Sequence, residues 1–384
     1  MRRARRRAAG LALALALGAA ACRTGGFDTY DDYDERPGPY DALSPVEVQV
    51  LAEAWRLRTA GDLELARRRL DTLTAAEPMN LVAAVALQEV ELDLLAAGEA
   101  VPGVPAEGAA ASPIARLFPV YAARAEAEGT AAACVLAARL QLDVKVREVW
   151  LARALAADPE CVWAHYGLAS TYAKAKQHAL AWASLERALA LDPGHPPARR
   201  LEAELLARGG DLARAIQAYR VWLEHNADDP RSAPTVVAAA RLDLASLLLR
   251  ANEPEEALAA LEPLDGKLLP DPTAAGLARV AALDQLGRFD EALAEARRLA
   301  EASPLDPWPR VQEALLQSDR LHDPAGARAA WEDVLLRLDA RAEEVGAGSP
   351  EGDPAAQELG SLFLRLRASA ELARLYGAKG ELEL

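Results

Sequence analysis

The side chains that could carry out chemistry in this chain do not form a pattern typical of an enzyme or a metal site. Its histidines are widely spaced, and no two of them are four residues apart, the spacing that places two ligands on one helix face. They are His165, His178, His195, His225 and His322. The adjacent carboxylates Asp31-Asp32 and Glu255-Glu256 would point in different directions, which favours solvation over acid–base catalysis.

Sequence motifs for catalysis are also missing. The chain has no nucleophile elbow, phosphate-binding loop, calcium loop, zinc-binding helix motif or dinucleotide-binding glycine pattern. Cys134 falls inside a predicted helix and Cys161 just before the next one, so their Cα atoms should be too far apart for a disulfide. We therefore predict two inert buried thiols, no enzymatic activity, no cofactor and no metal.

The amino terminus joins five arginines to an uncharged run at 8–21, which is shorter than the ~20 residues that span a bilayer. This order predicts a signal peptide over residues 1–21. Cys22 follows at once, and the arrangement resembles the lipobox of bacterial lipoproteins, which implies lipidation of Cys22. Ala19-Ala20-Ala21 would equally suit ordinary signal peptidase. No acidic residue directly follows the cysteine, which favours the periplasmic face of the outer membrane.

The composition indicates a core built mainly from alanine and leucine, because hydrophobic residues make up 52% of the 384 residues and aromatic ones only 5%. The formal net charge is −15, and removal of residues 1–21 takes away five arginines and no acid, giving −20. Nucleic acids and anionic lipid surfaces need a basic footprint and are disfavoured as partners. We expect a protein partner with basic segments or segments that bind aromatic side chains.

The stretch CVWAHYGLASTYAKAKQHALAWASLERALALDP, residues 161–193, sets the period of the chain. Its apolar spacing predicts two amphipathic helices, at about 162–174 and 178–191. Pro193 ends the second helix, since proline has no N–H to donate. Ala169 and Ala181 would face each other where the two helices cross. One such hairpin cannot bury its own apolar face, so neighbours must stack on both sides.

This stretch resembles the tetratricopeptide repeat family, whose unit of about 34 residues carries small and large apolar residues at fixed positions and a closing proline. The same register recurs before and after it, which predicts an all-α, right-handed superhelical solenoid of antiparallel helix hairpins with a C-terminal capping helix. The predicted helix-packing positions are Ala66, Ala169, Ala181, Ala215, Ala257, Ala292 and Ala327.

The predicted organisation follows from this register. After the signal peptide come a disordered acidic tether at 22–43, repeat-like helices at 44–96, a flexible insertion at 97–113, the main solenoid at 114–345, and a loop with a capping helix at 346–384. Arg147 occupies a position that other units give to a small residue. A second insertion at 225–234 is expected to project from one edge of the solenoid.

The resemblance implies that the first helix of each unit lines a groove for partners. In the central unit the groove positions are Trp163, Tyr166, Ser170 and Lys174, and in the next two units they are Arg200, Glu204, Arg208, Ser246 and Arg250. The family's pattern of paired lysines and asparagines for an acidic C-terminal peptide is not matched. Aromatic side chains beside cations suit an interface anchor, although Trp163 and Tyr166 could equally pack between helices.

Together these features favour a non-catalytic scaffold of the bacterial cell envelope, lipid-anchored at Cys22, that binds or assembles envelope or secretion components. One alternative is a periplasmic chaperone or accessory factor for an exported subunit. Another is a glycan-binding envelope protein that uses the insertion at 97–113.

Overall fold

The computed structural model describes residues 40–105, 112–264, 268–346 and 354–378, and regular structure in these ranges is helical throughout. The predicted signal peptide, Cys22 and the tether up to residue 39 lie outside the described residues. So do the middle of the first insertion at 106–111 and the stretches 265–267, 347–353 and 379–384.

The helices follow one another with short connections. They are α1 (Pro45–Ala60), α2 (Leu63–Ala76), α3 (Leu81–Ala96), α4 (Pro113–Glu128), α5 (Ala131–Arg139), α6 (Val144–Ala157), α7 (Val162–Lys174), α8 (His178–Leu191), α9 (Pro196–Gly209), α10 (Leu212–Asn226), α11 (Pro234–Arg250), α12 (Pro254–Leu261), α13 (Ala274–Gln285), α14 (Phe289–Ala302), α15 (Trp308–Leu315), α16 (Pro324–Gly346) and α17 (Pro354–Ala378). One π-helical turn, Leu316–Arg320, extends α15.

These helices pack in successive pairs, from α1 with α2 to α15 with α16, and α17 packs on α16 at the end of the array. First helices of neighbouring pairs also contact one another, as α5 does with α7 and α7 with α9. The predicted all-α solenoid of helix pairs with a terminal helix is confirmed.

Alanines occupy the predicted packing positions, and solvent reaches none of them. Their exposed fraction is 0% in every case: Ala66, Ala169, Ala181, Ala215, Ala257, Ala292 and Ala327. Ala169 and Ala181 share one buried cluster with Leu185 and Ala188. Because the side chains at a contact set the distance between helix axes, small residues here let the paired helices approach closely.

Local sequence signals set the ends of several helices. Ser44 accepts a hydrogen bond from the Glu47 backbone N–H while the Glu47 side chain accepts one from Ser44 N–H, a capping box that begins α1. Gly61 ends α1 in the left-handed region with φ 88°, where a residue with a Cβ would be strained. Gly210 ends α9 in the same way, with φ 86°.

The folded part begins earlier than the sequence predicts. The tether was expected to extend to Leu43, but Tyr40 and Asp41 are only 4% and 7% exposed, and Leu43 packs on the same core. The physical reason is that long-range tertiary contacts, which local composition does not reveal, bury Tyr40 and Asp41. Val101, within the first insertion, is buried as well.

The structure confirms the prediction of two buried thiols. Cys134 and Cys161 are buried and not disulfide-bonded. Burial raises the pKa of Cys161 to about 11, which keeps it protonated and unreactive. Across residues 40–105, 112–264, 268–346 and 354–378, no helix is both long and apolar enough to cross a membrane.

Candidate protein-binding groove

The first helices of the pairs share one face of the solenoid, and a cavity of about 620 Å³ lies on this face. Residues of α1, α3, α5, α7, α9 and α11 line it, together with the end of α10 and the loop that follows. We call this space the central cavity. Trp55, Trp163 and Trp222 all border it. Three large aromatic residues from distant parts of the chain therefore converge on one opening.

Trp163 and Tyr166, one helical turn apart on α7, form an aromatic wall of the central cavity. Their rings meet edge to face, with centroids 6.1 Å apart. The ring of His195, just before α9, stands edge-on to Trp163 with centroids 4.9 Å apart. Trp163 is only 6% exposed, so it acts mainly as a packed wall, whereas Tyr166 remains partly exposed.

The first described residues of the chain run across this face and are held there by hydrogen bonds. Leu81 N–H donates to the Tyr40 carbonyl at 2.8 Å, and the Asn80 side-chain amide donates to the Ala42 carbonyl at 3.0 Å. The Tyr40 hydroxyl donates to Asp158 at 2.5 Å. We call residues 40–43 the N-terminal strap. Two of its backbone carbonyls are held by the first residue of α3 and by the side chain of Asn80, the N-cap of that helix.

Asp41, in the N-terminal strap, accepts a hydrogen bond from the Trp163 indole N–H at 2.8 Å. The pKa of this carboxyl is raised from 3.8 to about 7, mainly by burial. The Trp163 hydrogen bond and Arg231 act to lower it, and nearby Asp192 acts to raise it. His195 Nε2 lies 3.9 Å from Asp41. Burial lowers the pKa of His195 to about 3, so both groups are uncharged between about pH 3 and pH 7.

The loop between α10 and α11 covers part of the central cavity. This contradicts the expectation that the insertion at 225–234 projects from an edge. Ala233 packs into the same core as α1, and the Arg231 guanidinium forms a two-pronged ion pair with Asp229. Trp222, at the end of α10, donates its indole N–H to the Pro196 carbonyl at 2.8 Å. The loop is directed inward, because Ala233 is buried in that core while Asp229 and Arg231 line the cavity.

The predicted groove residues separate into three sets. Trp163, Tyr166 and Arg200 line the central cavity. Ser170 and Lys174 line a smaller neighbouring cavity of about 210 Å³ that shares the aromatic wall. The remaining residues line neither cavity: Glu204, Arg208, Ser246 and Arg250.

The outer residues have local roles instead. Glu204 and Arg208 form an ion pair at 3.7 Å along α9, and the Ser246 hydroxyl donates to the Leu242 carbonyl. Arg250 is exposed at the end of α11. The lining of the central cavity therefore does not extend to these four residues.

Sequence reasoning missed the N-terminal strap and the α10–α11 loop as parts of the site. The strap gave one signal, because Tyr40 and Asp41 stand directly before the capping box of α1, but its contacts lie far away in sequence. The α10–α11 loop was identified in the sequence only as an insertion, with no indication that it lines the cavity. Among the described residues, no three His, Cys, Asp or Glu side chains are grouped so as to hold a metal ion.

Comparison with known proteins identifies the repeated unit. Residues 172–236 and 242–307 each match a model of the tetratricopeptide repeat. The chain contains tetratricopeptide repeats. These matches include Ala181, Ala215, Ala257 and Ala292, whereas Ala66, Ala169 and Ala327 lie beyond them. No curated protein matches the sequence.

The chain is also similar to solved structures. The Cut9–Hcn1 assembly of the APC/C aligns over 85% of this chain with a TM-score of 0.53 at 13% identity. The chain spans only 57% of the length of that protein. The type IV pilus biogenesis factor PilW aligns over 57% of this chain and 95% of its own, with a TM-score of 0.40 at 21% identity. At these identities the likeness concerns the fold alone.

Proposed function

We propose that this tetratricopeptide repeat protein is a non-catalytic scaffold that binds an extended segment of another protein in its central cavity. The central cavity itself is the observation on which the proposal depends. A space of about 620 Å³ lies within the 300–1,000 Å³ range of ordinary ligand pockets, and it is large enough for several side chains of a peptide.

The lining of the central cavity has the chemistry of an interface anchor. Tryptophan, tyrosine and arginine are the residues that most often dominate binding energy at protein interfaces, and here Trp163, Tyr166 and Arg200 lie together. The N-terminal strap supports the same interpretation, because Asn80 and Leu81 already bind the backbone carbonyls of a non-helical segment beside the cavity. We infer that a partner segment lies beside the strap, in the central cavity.

Arg200 provides the test of this proposal. It is partly exposed on α9 and lines the central cavity, so its replacement by glutamate should remove the hydrogen bonds that the guanidinium donates to backbone carbonyls of a segment bound there. We expect Arg200→Glu to weaken binding of a peptide selected from a displayed library by at least about tenfold, the loss expected for a charge-assisted contact. Fluorescence anisotropy with the labelled peptide measures this affinity.

Arg250→Glu is the matched control, since it makes the same charge change at an exposed site outside the cavity. We expect this variant to bind the peptide as the wild type does. Equal affinities for both variants, with circular dichroism showing intact helices, would remove the central cavity as the binding site.

We further propose that the protein works in the bacterial cell envelope, anchored by lipid on Cys22. The basic segment, the uncharged run and the cysteine at the start of the chain support this location. Stable anchoring requires more than one acyl chain, since a single chain gives only marginal binding.

The Cys22→Ser variant tests this anchor. We expect the wild type to sediment with membranes and the variant to be lost from that fraction. Mass spectrometry of the wild-type amino-terminal peptide should show acyl chains. A wild-type protein that begins with an unmodified Cys22 would instead indicate cleavage by ordinary signal peptidase.

A further inference from the structure

A second, smaller cavity beside the central cavity is lined by cations without a carboxylate in its wall. Its volume is about 210 Å³, and we call it the cationic cavity. Arg139 at the end of α5, Arg147 on α6 and Lys174 at the end of α7 line it. In a chain of net charge −15, three cations around one small space are unexpected. Like charges held together raise the energy of the site unless an anion joins them.

Arg147 explains part of this arrangement. The sequence places it where other units have a small residue, and the structure shows its side chain reaching into the space between α5 and α7. It donates to the Gln141 carbonyl, but its Nε is buried and has no hydrogen-bond partner among the described residues. A buried donor left without a partner costs free energy, which an incoming acceptor would recover.

The cations of the cationic cavity act on one another electrostatically. Burial lowers the pKa of Lys174, and the charges of Arg147, Arg139 and Arg200 lower it further, while Glu204 opposes them. Burial also lowers the pKa of Arg147, and Arg139 contributes in the same direction. Two acidic groups moderate this charge from outside the wall of the cavity. Glu89 forms ion pairs with Arg139 and Arg58, and Glu204 pairs with Arg208.

Hydroxyl groups complete the lining on the α7 side. Ser170 and Thr171 both border the cationic cavity, and the Thr171 hydroxyl donates to the Gly167 carbonyl at 2.7 Å. The remaining wall is apolar, with Val135, Ala138 and Leu151. A small space with two guanidinium groups, an ammonium group and an apolar floor fits one carboxylate with its short stem.

We propose that the cationic cavity binds one aspartate or glutamate side chain of the partner segment that lies in the central cavity. This inference rests on the proposed function. The two cavities share Arg139, Trp163 and Tyr166, so one continuous chain can occupy both. Apart from Asp41, which burial keeps protonated up to about pH 7, four carboxylates and three guanidinium groups line the central cavity. The partner segment therefore carries an acidic residue at one end and basic or neutral residues at the other, which fixes its direction in the groove.

Selection of short random peptides against purified full-length protein tests this inference. Wild type should enrich peptides with an acidic residue at one position. Lys174→Glu should lose that preference and favour lysine or arginine at the same peptide position. Arg147→Met removes the guanidinium but keeps an apolar side chain of similar length, and it should weaken the preference for an acidic residue. Lys145→Glu is the control for Lys174→Glu. It makes the same charge change, but at an exposed position on α6 outside the cavity.

A synthetic peptide from the wild-type selection then gives the magnitude. Replacing its acidic residue by the corresponding amide should weaken binding to wild type by about tenfold and leave binding to Lys174→Glu almost unchanged. Combining the change in the peptide with the change in the protein forms a double-mutant cycle, which separates the contact between the peptide and Lys174 from general effects of charge.

Each other outcome contradicts a specific part of the account. Peptides that bind in an Arg200-dependent manner without any acidic preference would overturn the inference and leave the proposed function standing. Competition by inorganic sulfate at constant ionic strength, without an acidic preference in the peptides, would make the cationic cavity a site for free anions instead. Failure to select any peptide would remove both proposals.

Discussion

Replacing Trp222 by alanine is expected to lower the free energy of unfolding by about 3–5 kcal/mol, the cost typical of removing a large aromatic side chain from a core. Trp222 is 2% exposed and belongs to the buried cluster that joins α10, α11 and α12. Its indole N–H also ties α10 to the Pro196 carbonyl at the start of α9. The variant would therefore lose packing and a hydrogen bond at the wall of the central cavity. Urea unfolding followed by circular dichroism measures the change.

Trp308→Ala is the matched control for this experiment. Trp308 is 44% exposed at the start of α15, so its truncation should change the free energy of unfolding by about 0.5 kcal/mol or less. A loss for Trp222→Ala as small as that expected for Trp308→Ala would show that Trp222 is not part of a packed core, and the description of the cavity wall would be wrong.

Asp41→Asn is expected to make the protein much more stable than wild type at pH 8 and only slightly more stable at pH 4.5. The folded-state pKa of Asp41, about 7, lies above its ordinary value of 3.8, so the folded chain holds this proton more tightly than the unfolded chain. The resulting stabilisation is complete below about pH 4 and is lost as the pH rises through 7. Asparagine keeps the acceptor for the Trp163 N–H and does not titrate. The difference between variant and wild type should reach about 3 kcal/mol.

The measurement is urea unfolding of both proteins at pH 4.5, 6 and 8. His195 titrates in the opposite sense, because burial lowers its pKa and its contribution is lost as the pH falls below its ordinary value of 6.5. It is present in both proteins and cancels in the difference. Asp228→Asn, which removes an exposed carboxylate of the same cavity, controls for the charge change. A difference that does not vary with pH would contradict the burial of Asp41.

The local part of the structure could be predicted from the sequence. The helices predicted at 162–174 and 178–191 are α7 and α8 with the same bounds. This succeeded because apolar periodicity and helix-ending residues act over a few positions. The recurrence of alanine at a constant spacing predicted the stacking of the pairs, since each pair contacts only its neighbours in a solenoid.

The site could be predicted only in part, because its geometry depends on contacts between residues far apart in the chain. Trp163 was identified as a groove residue, but its hydrogen bond to Asp41 joins positions 122 residues apart. No periodic pattern carries that information. Arg147 was noticed as an anomaly in its unit, and only the positions of α5 and α7 around it show that it completes a cationic cavity.

Photo-crosslinking of a selected peptide tests the central claim most directly. The peptide would carry a photoreactive residue, and the crosslinked positions in the protein would be mapped by mass spectrometry. The proposed function requires crosslinks to the lining of the central cavity, such as Tyr166, Arg200 and Val236. Crosslinks confined to the exposed apolar residues Leu362, Phe363 and Leu366 on α17 would contradict it, because they would place the binding surface at the end of the solenoid.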